Sequence, residues 1–249
     1  MKFIGIIPAR YSSTRLPGKP LAMIGDRPMI QHVCERASQA LTEVWVATDD
    51  QRIADAVNGF GGSVMMTSPD HTTGTDRCAE VAAKLAGEGD IVINIQGDMP
   101  FISPESIKLL CDCFSDPLTD IATLAAPFTR AEEMQVRHKV KVLVEDDGWV
   151  YNFSRVPMKK EPAGHDGQND WIAKNYKHIG LYGYRFNTLM QITKLPQSQS
   201  ELAESLEQLR WLANGYRIKC AIIPEDTISV DTPEDLQNAI KYYLNDVVC

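Results

Sequence analysis

The sequence predicts an α/β fold built on a doubly wound, mixed but mostly parallel sheet, and three observations predict it. Apolar runs rich in Ile and Val recur at residues 3–9 (FIGIIPA), 44–49 (VWVATD), 63–67 (SVMMT) and 91–97 (IVINIQG). Such runs suit strands buried on both faces. Between them, residues 28–40, 51–60 and 74–87 place apolar side chains at i, i+3 and i+4, the spacing of crossover helices that cover both faces of a sheet. After Pro100 the rhythm changes, and the runs KVLVEDD (141–147) and WVYNFSR (149–155) are joined only by a turn at Asp147-Gly148, which predicts a hairpin and makes the sheet mixed.

The remaining elements follow in order. Residues 104–114 (PESIKLLCDCF) predict a short helix and 121–128 (IATLAAPF) a strand. The segment 157–177 is polar, carries Pro and Gly, and lacks periodicity; a loop of that length is expected to be a lid, a binding loop or an interface arm. HIGLYGYR (178–185) returns as a strand. Helices are expected at 187–195 and at 204–215, the second closed by Gly215, followed by a strand at 219–225 and a helix at 232–246 with Thr232 as cap and Pro233 in its first turn. No repeat or linker interrupts the 249 residues, so the chain reads as one domain, 1–249, with an inserted region around 150–190.

Composition narrows the function. A formal net charge of −8 argues against nonspecific binding to nucleic acid or an anionic membrane, yet allows one local basic pocket. The six cysteines form no CxxC pair and no disulfide-like spacing, and the N-terminal apolar run stops at Pro8 and Arg10, too short for a signal segment. No run approaches membrane-spanning length. A reduced, cytoplasmic protein is the expectation.

The local basic pocket has an obvious candidate. IPARYSSTRLPGKPL (7–21) places Arg10, Arg15 and Lys19 in one loop directly after the first strand. Three cations held together repel one another unless something anionic lies among them. In an open α/β sheet, ligands bind beyond the carboxyl ends of the strands, where this loop opens. Neither a GxGxxG fingerprint nor a GxxxxGK[ST] loop is present, so phosphate would be held by Arg and Lys side chains with N–H groups around Ser12 and Ser13, which suits a nucleoside triphosphate. QGDMP (96–100) delivers Asp98 at the end of another strand, and SVDTPEDL (229–236) delivers Asp231 before a helix. One or two carboxylates together with phosphate oxygens are what Mg²⁺ takes. The competing readings are a solvated charged loop and, for Asp231, an ordinary residue at a helix start.

Taken together, IPARYSSTRLPGKPL, VATDD, MTSPDHTTGTDR, INIQGDMPFI, FSR, HIGLYGYR, LEQLR and VDTPEDL resemble the 3-deoxy-manno-octulosonate (Kdo) cytidylyltransferases almost from end to end. The resemblance implies a nucleotidyltransferase (Rossmann-like) fold with a dimerisation lobe in the 150–190 region, and a homodimer. It implies Mg²⁺-dependent transfer of CMP from CTP to the anomeric hydroxyl of a 2-keto sugar acid, with release of pyrophosphate. Arg10, Ser13 and Lys19 correspond to triphosphate contacts; Thr73, Gly74, Thr75 and Arg77 to part of the cytidine site; Gln96 and Asp98 to the nucleotide and metal; and Asp231 to the second metal ligand. Arg10, Lys19, Asp98 and Asp231 would carry catalysis. Arg155, His178, Tyr182, Glu207 and Gln208 correspond to the sugar-acid site.

Spacing alone also permits plainer roles. His178 and Tyr182 could be strand residues with satisfied partners, Glu207 and Arg210 could pair at i and i+3, and Arg77 could be a solvated charge. Two departures from the family stand out: Met99 occupies a position where Glu is common, and VPMKKEP (156–162) replaces a Pro-Trp-Asp-Arg type sequence. The alternatives are therefore the same reaction on another 2-keto sugar acid, such as the 8-amino derivative of Kdo, or a noncatalytic nucleotide-sugar binding protein.

Overall fold

The computed structural model describes residues 1–158, 174–224 and 226–247. In chain order these form β1 (Phe3–Ala9), β2 (Met23–Ile24), β3 (Arg27–Pro28), α1 (Met29–Ser38), β4 (Glu43–Thr48), α2 (Gln51–Gly59), β5 (Ser63–Met66), α3 (Gly74–Leu85), β6 (Ile91–Asn94) and α4 (Pro104–Asp112). They continue with β7 (Ile121–Ala126), β8 (Lys141–Val144), β9 (Val150–Ser154), β10 (Lys174–Arg185), α5 (Phe186–Ile192), α6 (Gln199–Glu204), α7 (Gln208–Ala213), β11 (Ile218–Ile222) and α8 (Pro233–Val247). Where the sequence reads as one domain, the contacts group the chain into two compact units. The first comprises Met1–Cys111, Leu181–Thr193 and Thr227–Cys249, and the second Asp112–Gly180 and Lys194–Asp226.

In the first unit β1 is the central strand, parallel to β4 on one side and β6 on the other; β5 extends the parallel set beyond β4, and the last residues of β10 run antiparallel to β6. The predicted near-continuous apolar runs are explained by this placement. Ile4, Ile6 and Ile7 of β1, Val46 of β4 and Ile91, Val92 and Ile93 of β6 are all fully buried, each worth roughly 2 kcal/mol of transfer free energy. Helix starts are chemically marked: Asp50 accepts from the Arg52 N–H ahead of α2, and Thr73 and Asp76 form a reciprocal capping box at α3.

The second unit pairs β7 with β11 in parallel, and pairs β8 antiparallel with both β9 and the first residues of β10. The predicted hairpin at Asp147-Gly148 is present as the β8–β9 turn, with Gly148 at φ 84°. Trp211, Phe153 and Leu124 are among its buried side chains.

Three sequence expectations need correction. The helix expected over 204–215 is only α7, 208–213; residue 204 ends a separate helix, α6, which Ser205 closes in a left-handed conformation (φ 52°). The start of α6 was overlooked although Ser198 and Glu201 form a capping box there. The polar segment 157–177 is not loop to its end, since residues 174–177 are strand paired to β8; the rest of the expected lid, residues 159–173, lies outside the described residues. Among the described residues no helix is long and apolar enough to cross a membrane.

Candidate active site

The site is assembled at the carboxyl end of β1. The loop after it folds back on itself: the Ser13 and Gly18 N–H groups both donate to the Tyr11 carbonyl (2.9 and 3.0 Å). Gly18 takes φ +68°, a conformation that a side chain would strain, and this reversal launches the short turn Lys19–Leu21 with Pro20 in its opening position. Lys19 leaves that turn aimed at two carboxylates. Its Nζ donates to Asp98 Oδ2 at 2.6 Å and to Asp231 Oδ1 at 3.1 Å, while Arg15 Nη2 lies 3.3 Å from the same Asp231 oxygen.

Each aspartate is placed by local chemistry. Asp98 follows β6 in a turn where a Cβ on Gly97 would stand 3.1 Å from the Pro8 carbonyl oxygen, so a side chain there would push the turn back from the end of β1 by a few tenths of an ångström. The Val230 N–H donates to the Asp98 carbonyl at 2.9 Å and so delivers Asp231 to the same place. Asp231 is not the ordinary helix-start residue that its sequence also allowed. Thr232 and Asp235 cap α8 between them, Thr232 Oγ1 accepting from the Asp235 N–H and Asp235 Oδ2 accepting from the N–H groups of Asp231 and Thr232, so the Asp231 carboxylate is left to Lys19 and Arg15.

Burial alone would pull the Lys19 ammonium below its ordinary pKa. The charge and hydrogen bond of Asp98, and then those of Asp231, outweigh that and hold it above. The mutual repulsion anticipated among Arg10, Arg15 and Lys19 is therefore offset within the protein. Lys19 and Arg15 meet carboxylates, and Arg10 Nη2 donates to the carbonyls of His71 and Thr73, drawing the start of α3 to the loop.

Two carboxylate oxygens already converging on one positive atom are a fitting donor set for a hard divalent cation, with Lys19 standing in for it. Among the described residues no group of three or more His, Cys, Asp or Glu could hold a metal, so substrate oxygens and water would complete the coordination. Met99 is buried, so that position does not add to the carboxylates at the rim.

At the start of α3, Thr73 caps the helix, Gly74 packs against Pro8, and Thr75 is buried. Gln96 is half-buried in the turn that precedes Asp98. Arg77 is neither a solvated charge nor an open binding group. It is wholly buried, with Nη1 donating to Thr67 Oγ1 and lying 3.3 Å from Asp49 Oδ1, and its Nε and Nη2 have no hydrogen-bond partner among the described residues. Burial lowers its pKa against the pull of Asp49, and Arg10 adds repulsion. Asp49→Ala would strand that charge, so chemical denaturation is expected to show a loss of about 3 kcal/mol or more. Sequence reasoning quoted Asp49 within VATDD without giving it a role, and missed Glu80 altogether. Glu80 is desolvated, but the Ser68 N–H, His71 and Lys84 together hold its carboxyl down to about 2, which fixes the loop before α3.

Four of the five sugar-site candidates belong to the second unit, and Tyr182 to the first. Arg155 is engaged by backbone: Nε donates to the Glu204 carbonyl at 2.6 Å and Nη2 to the Ser205 carbonyl at 3.2 Å. Fully buried Lys141 donates to the Arg155 carbonyl at 3.0 Å and to that of Val136 at 2.7 Å. Glu207 takes the i, i+3 pairing with Arg210 (3.3 Å), which also holds Glu201 at 3.0 Å. Gln208 is buried in the first turn of α7. His178 Nε2 lies 3.0 Å from Thr123 Oγ1, its ring edge-on to Phe153, and burial pushes its pKa down to about 3. Tyr182 is buried and stacked on Tyr184 at 5.9 Å.

A family profile described as cytidylyltransferase matches residues 4–219. The 3-deoxy-manno-octulosonate cytidylyltransferase of Bacteroides thetaiotaomicron is 51% identical, covering 98% of this chain and 99% of its own length. That of Parabacteroides distasonis is 50% identical with the same coverage, 98% and 99%. Among solved structures, CMP:2-keto-3-deoxy-manno-octonic acid synthetase complexed with CTP superposes with a TM-score of 0.90 at 42% identity, over 99% of this chain and 100% of that one. Likeness of that extent, in sequence and in backbone alike, means that the chain belongs to the cytidylyltransferase family, among the 3-deoxy-manno-octulosonate cytidylyltransferases.

Proposed function

We propose that the chain transfers CMP from CTP to the anomeric hydroxyl of Kdo, giving CMP-Kdo and pyrophosphate, with Arg10, Ser13, Lys19, Asp98 and Asp231 at the reacting phosphates. The observation that carries this is the Lys19 ammonium bridging Asp98 and Asp231 where a strand end, a turn and a helix start meet. The sugar hydroxyl attacks the α-phosphorus in line and the bond to the β,γ-diphosphate breaks. The protein's task is to orient the two reactants and absorb charge. Lys19 and Arg10 neutralise the departing pyrophosphate, and the N–H groups of the Ser13 loop hold the triphosphate in register. Mg²⁺ on Asp98 and Asp231 would supply phosphate-charge neutralisation and acidify the attacking hydroxyl.

Thr73, Gly74 and Thr75 line the nucleoside side of this reading, with Gln96 beside the base or ribose. Arg77 acts as a brace behind them. Arg155, His178, Tyr182, Glu207 and Gln208 are the residues this reading assigns to the sugar acid. The enzyme works in the cytoplasm as a single catalytic domain and as a homodimer; Tyr151, Val156 and Leu202, large apolar side chains left exposed in the second unit, support a dimer face near the 150–190 region.

Pyrophosphate release tests the reaction. CTP, Kdo and Mg²⁺ together are expected to give it, and other nucleoside triphosphates far less. Faster release with the 8-amino acid would move the substrate assignment toward the altered VPMKKEP segment. Heat of CTP binding without pyrophosphate from any acid or divalent ion would leave a noncatalytic binding protein.

A further inference from the structure

Lys19 Nζ lies 2.6 Å from Asp98 Oδ2 and 3.1 Å from Asp231 Oδ1, and Arg15 supports the second carboxylate at 3.3 Å. A magnesium-like ion takes carboxylate oxygens at about 2.0–2.1 Å. Such an ion and the ammonium cannot hold the same two oxygens, because two positive centres would then lie within a few ångströms of each other in a partly desolvated site. The oxygens best placed for a metal are thus already satisfied by a cation tethered to the chain. The tether is a flexible one: a lysine stem can swing its ammonium toward another anion without moving the backbone.

Charge balance says what would move it. Arg10, Arg15, Lys19, Asp98 and Asp231 together carry one surplus positive charge. A divalent ion alone enlarges that surplus, a triphosphate alone reverses it to a large excess of negative charge, and both together nearly cancel.

We infer that Lys19 is an internal counter-ion that suppresses divalent-cation binding until a polyphosphate draws its ammonium away from Asp98 and Asp231, so that metal and nucleotide bind in mutual dependence. This rests on the reading of those two aspartates as the metal ligands. Coupling of this kind is reciprocal: whatever factor the nucleotide adds to metal affinity, the metal adds to nucleotide affinity.

Mn²⁺ serves as the probe, titrated into the full-length protein without nucleotide and followed by the paramagnetic resonance signal of the free ion. Lys19→Met and Lys19→Gln are each expected to bind Mn²⁺ about 5- to 150-fold tighter than the unaltered chain, the usual span of such couplings. Adding a CTP analogue with an uncleavable α,β-bridge should tighten Mn²⁺ binding to the unaltered chain by a similar factor and to the variants much less. Equal Mn²⁺ affinity in the unaltered chain and both variants overturns the inference; agreement between Met and Gln guards against a folding defect peculiar to one. Adding Asp98→Asn to Lys19→Met separates the two layers of argument. The gained affinity should vanish; if it survives, the ion lies elsewhere and the Asp98 assignment itself fails.

Discussion

Lys19→Ala and Asp98→Asn are each expected to lower kcat/KM for CTP by about 30- to 1,000-fold, or about 2–4 kcal/mol of transition-state stabilisation. On the proposed mechanism the first substitution removes a charge aimed at the leaving group, and the second removes half of the carboxylate pair that meets Lys19. The double variant should fall well short of the product of the two effects, because groups that act as a unit do not add. Steady-state kinetics on the three variants, with a thermal melt of each, is sufficient. A Lys19→Ala enzyme whose kcat/KM stays within about a factor of two of the parent would remove the phosphate-loop assignment.

Acid stability should depend visibly on His178. Its folded pKa is pushed down to about 3 by burial, whereas an imidazole in the unfolded chain titrates near 6.5. Between those values the unfolded chain holds a proton that the folded chain does not. The stability is therefore complete above about pH 6.5 and is lost as pH falls toward 3. A loss of about 2–4 kcal/mol is expected over that window, less than the whole shift implies because the ring keeps some contact with solvent. Urea unfolding at a series of pH values measures it. His178→Gln should flatten the profile above pH 4.5, while the steeper fall below that persists as Glu80, held near 2, takes up its proton. Identical slopes for parent and variant would mean that the imidazole is not desolvated by its surroundings.

Much of this architecture was legible because periodicity reports burial. The Ile-rich runs at 3–9 and 91–97 read as strands covered on both faces, as β1 and β6 (91–94) are, and Asp147-Gly148 reads as the tight turn it forms. What escaped was set by single backbone choices. Ser205 in a left-handed conformation closes α6 and delays the apparent 204–215 helix to residue 208, and no glycine announces it. The β2–β3 hairpin is too short for any pattern to register.

The meeting of Lys19 with Asp98 and Asp231 was legible for the same local reasons, since the loop cations, the Gly97 turn and the acid ahead of Thr232 each have a short-range signature. The direction of each bond was not. That Arg155 would spend its guanidinium on the carbonyls of residues 204 and 205, or that Arg77 would be sealed inside against Asp49, depends on partners far along the chain that no spacing reveals.

The hydrogen bond from Val230 to the Asp98 carbonyl joins two acids that lie more than half a chain apart. Asp98 is synthesised more than a hundred residues ahead of Asp231, so a nascent chain carries the Lys19 loop and the first acid well before the second acid exists. A cut ahead of Val230 would part Asp231 from Asp98 and is expected to silence the molecule while leaving the central parallel strands standing.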